Sequence, residues 1–260
     1  MKSTKYVIIL VILILAIIAF NYGSINGWVE KTFANYETGV VQRVVDGDTV
    51  KINNKSVRLL GINCPEKGEK YYSEAKTFLE NKILNKTVEI HFGKEKTDLY
   101  NRTLGYIFIG SENINAEIVQ NGFANLYFPE GKDQYYPQFA EAWQNCIKNN
   151  LNYCKSSESV CAKCVYLNTL DIKNQEAIFG NNCSFSCNLN NWDIKDEGRK
   201  HFKFSNYNLE PGKEVVVKVG NSTNYDNVMY WKGETYVWTK TGDTLILRDD
   251  VGNLVLWYSY

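Results

Sequence analysis

Two things are scarce in this sequence. Histidine occurs only at His91 and His201, so a site built from two or three imidazoles around a metal or a nucleophile is hard to assemble. Excess positive charge is also missing: Lys+Arg and Asp+Glu balance at 29 each. That removes the counterion-release attraction by which many nucleic-acid binders hold phosphate over a broad basic face. A catalytic centre here has to rest on carboxylates and arginines gathered locally. What is present is an ordinary globular composition, 44% hydrophobic and 22% charged over 260 residues. One core usually serves about 100–200 residues, so more than one compact unit is expected.

Met1-Lys-Ser-Thr-Lys5 is basic and leads into an unbroken apolar run from Tyr6 to Phe20. This reads as a membrane-targeting segment. It exceeds most signal-peptide cores and falls short of the roughly 20 residues that span a bilayer, although Asn21 to Ser24 can complete a span. With no clear small-residue cleavage site following, a retained signal anchor is favoured over a cleaved signal peptide. Lys2 and Lys5 keep the N-terminus cytoplasmic and send everything after Gly27 outside. The expected localisation is membrane-anchored with an extracytoplasmic catalytic domain; secretion after cleavage is the alternative.

The organisation predicted is an anchor at 1–22, a connector at 23–38, a first domain at 39–148, a cysteine-containing linker at 149–162 and a second domain at 163–260. In the first domain, Val40 to Val45, Thr49 to Ile52 and Val57 to Ile62 read as strands joined by the Asp46-Gly47-Asp48 and Asn53-to-Ser56 turns, a meander with short loops. Tyr72 to Leu84 has helical spacing. Strands at Thr87 to Phe92 and Leu104 to Ile109 follow, then helices at Asn115 to Asn121 and Gln134 to Ile147. Five short strands with helices at the ends fit an OB-type barrel. Beyond the linker, helical periodicity vanishes. Short runs at Val165, Ala177, His201, Val215, Tyr236-Val237-Trp238, Thr244 and Leu254, separated by turn residues, indicate an immunoglobulin-like β-sandwich.

Hydrolysing a phosphodiester needs a group to activate water, cations to hold the developing charge and usually a hard metal. The first domain offers all three at strand ends. Asp46 and Asp48 flank Gly47 and suit an oxygen-ligated divalent ion. Glu66 follows Pro65, whose fixed backbone angle stiffens its turn. Arg58 lies on the strand before that turn, and Arg102 follows Asp98-Leu99-Tyr100-Asn101; guanidinium forks match phosphate oxygens.

The ordered series Val45-Asp46-Gly47-Asp48-Thr49-Val50, Val57-Arg58-Leu59-Leu60-Gly61-Ile62-Asn63-Cys64-Pro65-Glu66 and Thr97-Asp98-Leu99-Tyr100-Asn101-Arg102 resembles the staphylococcal nuclease family over roughly Gly39 to Lys148. The resemblance implies an OB barrel and calcium-assisted cleavage of DNA and RNA. By it, Glu66 activates water and Arg58 and Arg102 bind phosphate. Asp48 is a calcium ligand, supported by Asp46. The family's second calcium carboxylate falls on Asn63, and a threonine whose carbonyl reaches the metal falls on Cys64, so the site has one negative charge fewer and weaker calcium binding is expected. The stretch between Glu66 and Tyr72 is shorter than the loop often found in the family. Tyr100 and Tyr127 are candidate stacking partners for a base, or core aromatics.

A second series, Asn191-Trp192-Asp193-Ile194-Lys195-Asp196, Leu209-Glu210-Pro211-Gly212, Tyr230-Trp231, Val237-Trp238 and Gly242 to Asp249, resembles the lamin-tail domain. Trp192, Trp231 and Trp238 read as core. Nothing in this half offers a catalytic set, and its expected role is binding or positioning. Six of the seven cysteines cluster at Cys146, Cys154, Cys161, Cys164, Cys183 and Cys187. Disulfides are expected in an exported chain; the spacing of Cys161, Cys164, Cys183 and Cys187 also suits a zinc site. Cys64 is then a free thiol. The partners predicted are DNA and RNA as substrate and the membrane through the N-terminal segment; no protein partner is legible. The competing reading is a catalytically weak binding protein that uses the barrel and the lamin-tail domain as binding modules.

Overall fold

In its first strands the chain lays down a barrel. A computed structural model describes residues 36–260; the apolar run and the connector up to residue 35 lie outside the described residues. Among the described residues, no helix is long and apolar enough to cross a membrane.

Strands β1 (Tyr36–Val44), β2 (Thr49–Ile52) and β3 (Lys55–Leu59) form the expected antiparallel meander. β4 (Gly61–Asn63), α1 (Tyr72–Ile83), β5 (Thr87–Thr97), β6 (Thr103–Ile109), β7 (Glu112–Asn113), α2 (Ile114–Gln120), β8 (Asn125–Tyr127) and α3 (Tyr136–Asn149) follow. The strand order β3-β2-β1-β5-β6 closes on itself through a parallel pairing of β3 with β6, Val57 opposite Thr103. Five strands therefore make a closed barrel, which removes sheet edges. Helix α1 turns Ala75, Leu79 and Ile83 inward at four-residue spacing, one stripe of a helical wheel. Helix α3 opens with Pro137 in its first turn, stops at Asn150 in the left-handed region, and buries Phe139, Ala142, Trp143 and Cys146.

The third expected strand, Val57 to Ile62, is in fact two. Gly61 has φ +77°, and a Cβ there would lie 2.9 Å from the Phe139 ring. The chain bends at Leu60, and β4 leaves the barrel to pair with β8, Ile62 opposite Leu126. That bend sets the Asn63-to-Glu66 turn against the β1–β2 turn, where the Cys64 amide donates to the Asp48 Oδ2 at 3.0 Å.

Two short 3-10 turns, Asn152–Cys154 and Val160–Lys163, lead into the second half. There β9 (Val165–Asp171), β10 (Glu176–Asn181), β11 (Cys187–Asn188), β12 (Asp193–Lys195), β13 (His201–Lys203), β14 (Asn208–Leu209), β15 (Glu214–Val219), β16 (Val228–Trp231), β17 (Thr244–Arg248) and β18 (Leu254–Ser259) follow in order. They form two four-stranded sheets, β16-β15-β10-β9 and β13-β12-β17-β18, with β11 and β14 as a separate pair. Phe179, Val215, Val217 and Trp231 from one sheet and Ile194, Phe202, Leu245 and Leu247 from the other share one core with Trp192 and Trp238. This is the expected sandwich with tryptophans inside. The run Tyr236-Val237-Trp238 is not a strand. The Gln175 side chain caps it instead, its Oε1 accepting from the Val237 and Trp238 amides and its Nε2 donating to the Trp238 carbonyl at 2.8 Å. A side-chain amide satisfies the backbone groups that a ladder would otherwise take.

From Thr38 to Tyr260 the chain is one compact unit. Ile246, Leu254 and Trp257 of the second half pack into the core of the first, with Trp257 against Trp143 at 6.0 Å. Arg248 is buried, stacks 4.6 Å over the Tyr153 ring and donates to the Tyr153 carbonyl at 2.6 Å. A buried guanidinium is costly unless its donors are satisfied, and this contact satisfies one of them where the halves meet.

Candidate active site

The Asp46-Gly47-Asp48 turn joins β1 to β2, and Gly47 lets it approach the Cys64 turn: a Cβ there would meet the Cys64 Sγ at 2.8 Å and the Ala75 Cβ at 2.9 Å. Asp48 is buried. Its Oδ2 accepts from the Cys64 amide at 3.0 Å and faces the Arg58 Nη2 at 3.2 Å, while its Oδ1 accepts from the Thr49 hydroxyl at 3.1 Å. Its carbonyl accepts from the Leu59 amide at 2.8 Å. The Arg58 guanidinium is thus held between the Asp48 carboxylate and the Leu59 carbonyl, which accepts from its Nη1. Asp46 accepts from the Asp48 amide at 3.1 Å, and burial, with the neighbouring Asp48 charge, pushes its carboxyl above the ordinary value.

This donor set fits a hard divalent cation. Two neighbouring carboxylates, one of them raised by burial and by the charge of the other, gain from a positive ion beside them. Asn63 is buried, and its Nδ2 donates to the Gly198 carbonyl at 2.7 Å. Cys64 is the free cysteine expected, its thiol pushed well up by burial. The set is a lean one: among the described residues, no third acidic group gathers with Asp46 and Asp48 closely enough to chelate as a trio.

Arg102 is positioned by Asp98, whose Oδ1 accepts from the Tyr100 and Arg102 amides and whose Oδ2 accepts from the Arg102 Nε at 2.7 Å. Burial acts to raise the Asp98 carboxyl, but the Arg102 hydrogen bonds and charge outweigh it and the net shift is downward. Asp98 is a functional residue that the motif order does not single out; an Asp bonding backbone groups two and four residues on is a turn signature. Tyr100 is 82% exposed and lies 5.5 Å from the Arg102 guanidinium. It is not a core aromatic. Tyr127 is half-buried.

Arg58, Asn63, Tyr100, Arg102 and Tyr127 line one cleft of about 510 Å³. Its opposite wall comes from the second half: the β12–β13 turn, Asp196 to Lys200, and Tyr236 to Thr239. Glu66 reaches this cleft through Arg199, whose Nη2 lies 2.6 Å from its Oε1. The short segment after Glu66 folds into tight turns and places Glu69 3.5 Å from the His201 Nε2, while the His201 Nδ1 faces Asp193 at 3.0 Å. The His201 contact holds Glu69 down at about 2. Asp193 and Glu69 together raise His201 to about 9. Burial lifts Asp196 to about 6, and burial with the Asp243 charge lifts Glu197 to about 8.

The cysteines form the disulfides expected of them, and the alternative zinc site is not formed. Cys161 pairs with Cys187, Cys164 with Cys183 and Cys146 with Cys154, so the four sulfurs that spacing offered to zinc are consumed in covalent bonds and provide no thiolate.

A closed five-stranded barrel carrying two carboxylate-held guanidiniums on one cleft suits a phosphodiester hydrolase of nuclease type. The profile described as Staphylococcal nuclease homologue matches residues 56–154 and that of the Lamin Tail Domain residues 176–260. A thermonuclease of Staphylococcus intermedius is 31% identical over 163 residues, 58% of this chain and 96% of that protein. A thermonuclease of Staphylococcus hyicus is 29% identical over 129 residues, 46% and 76% of the two chains. An uncharacterized endonuclease of Haemophilus influenzae is 34% identical over 106 residues, 39% and 58%. The chain belongs to the staphylococcal nuclease family and carries a lamin-tail domain behind the nuclease barrel.

Proposed function

We propose that this protein is a calcium-dependent nuclease that cleaves DNA and RNA outside the cytoplasm. The observation that carries the reading is the cleft on which Arg58 and Arg102 lie together, each guanidinium oriented by its own buried or half-buried carboxylate. Two forks at one cleft suit the oxygens of a single phosphodiester. Glu66 takes a proton from water, the water oxygen attacks phosphorus, and the ester oxygen on the far side leaves and is protonated from solvent. Arg58 and Arg102 hold the charge that builds on the phosphoryl oxygens. Calcium, held by Asp48 and Asp46 with the Asn63 side chain and the Cys64 carbonyl, would supply Lewis-acid polarisation of the phosphate. Tyr100 and Tyr127 offer faces to a base.

Three disulfides among the described residues support an oxidising location, in keeping with an N-terminal segment that holds the protein at the membrane or exports it. The test is digestion of single-stranded DNA and RNA with calcium and with chelator, comparing the native chain with Glu66→Gln. Loss of cleavage in chelator and in the variant is expected. Full activity in either would overturn the mechanism, and binding without cleavage by the native chain would establish the binding-module reading in its place.

A further inference from the structure

The lamin-tail domain supplies a wall of the reaction cleft, and Arg199 sits on it. The backbone on both sides of Arg199 is pinned. The Asn63 Nδ2 donates to the Gly198 carbonyl at 2.7 Å, the Phe128 amide to the Glu197 Oε1 at 3.2 Å, and the Lys200 amide to the Asp196 Oδ1 at 2.9 Å. Lys200 in turn donates to the Tyr236 carbonyl at 2.7 Å. The Glu66 loop is clamped to the same domain through Glu69 on His201 and the Lys70 Nζ on the Val251 carbonyl at 3.1 Å. A rigid turn therefore presents one long, movable side chain to the cleft.

Three guanidiniums line that cleft: Arg58, Arg102 and Arg199. Asp48 holds the first in a buried pair, and Asp98 holds the second by backbone and side-chain bonds. The third is bound to Glu66 in a pair whose side chains are 61% and 53% exposed. Exposed ion pairs are among the weakest electrostatic contacts, whereas a guanidinium fork on phosphate is among the strongest hydrogen-bonded ones. An arriving phosphate wins the competition.

We propose that Arg199 is a third phosphate-binding residue of the nuclease, contributed by the lamin-tail domain, which rests on Glu66 in the free protein and moves to a phosphate neighbouring the scissile one when nucleic acid binds. The exchange frees the Glu66 carboxylate from its guanidinium partner when substrate is in place. This inference rests on the reading of Glu66, Arg58 and Arg102 as the reaction centre. It makes the second domain part of the active site.

Steady-state cleavage of a fluorescein-labelled single-stranded oligodeoxynucleotide, with calcium and at several salt concentrations, tests it on the full chain with Arg199→Ala, Arg199→Lys and Glu66→Gln. Removing one charge-assisted contact to phosphate raises KM about tenfold in Arg199→Ala. The dependence of log KM on log salt loses about 0.7 of its slope, the share of one phosphate contact on a single strand. Arg199→Lys keeps the charge, so it restores the slope and part of KM, which a merely structural role would not do. Wild-type KM and salt slope in Arg199→Ala, with or without a change in kcat, overturn the proposal. Full activity in Glu66→Gln instead overturns the underlying reaction centre, so the two failures are separable.

Discussion

Asp48 Oδ2 and Arg58 Nη2 face each other at 3.2 Å in a pair from which water is almost excluded. Removing one member of such a pair leaves the other charge buried alone, which costs about 3–5 kcal/mol. Asp48→Asn should therefore lower unfolding stability by about 3 kcal/mol, measured by urea titration in chelator. An unchanged midpoint would mean that Arg58 finds another partner or water.

Asn63 serves two ends. On the proposed calcium reading, replacing it with Asp adds an acidic ligand, and the calcium concentration for half-maximal cleavage should fall about tenfold, in line with stronger coordination by a charged oxygen. The same change removes the donor to the Gly198 carbonyl, so stability in chelator should drop by about 1–2 kcal/mol. Cleavage across a calcium titration and melting in chelator read the two effects separately.

Stability should depend on pH through the contacts between the Glu66 loop and the second domain. His201 is raised to about 9, so its contribution is complete below about 6.5 and is lost as pH climbs through 9. Glu69 is lowered to about 2, so its contribution is complete above about 4.5 and is lost as pH falls toward 2. His201→Gln should flatten the alkaline limb, seen in melting temperature from pH 6 to 10. A limb as steep as in the native chain would remove His201 as its cause.

Glu197 acts in the opposite sense from Glu69. With its carboxyl raised to about 8, the folded state keeps a proton that the unfolded chain releases above about 4.5, so stability falls as pH rises from there through 8. Glu197→Gln retains the acceptor for the Phe128 amide and cannot ionise. The variant should melt higher than the native chain at pH 8 and match it near pH 4.

Thiol titration of the denatured, unreduced protein should find one reactive cysteine, Cys64, and elemental analysis should find no zinc. Replacing Cys161 and Cys187 with Ala, which opens a loop spanning 26 residues, should cost about 3.5 kcal/mol on the chain-entropy scale. Bound zinc, or several reactive thiols in the oxidised protein, would contradict the pairing described.

Local signals were legible in the sequence because they act over short distances. Turn residues set the β1–β2–β3 meander, the spacing of Ala75, Leu79 and Ile83 set α1, and the order of the motifs around Asp48, Arg58, Glu66 and Arg102 gave the family and, with it, the nuclease class. The alternation of short strands and buried tryptophans gave the second β domain. Tertiary structure alone decided the rest. Gly61 bends β3 away because Phe139, 78 positions later, fills the space a side chain would need. Spacing left the cysteines undecided between zinc and disulfides until the fold chose their partners. Above all, no local pattern joins Glu66 to Arg199 across 133 residues. Whether such groups meet depends on how two cores dock, here through Arg248, Trp257 and Leu254, and docking is a property of packed surfaces that no short stretch of chain carries.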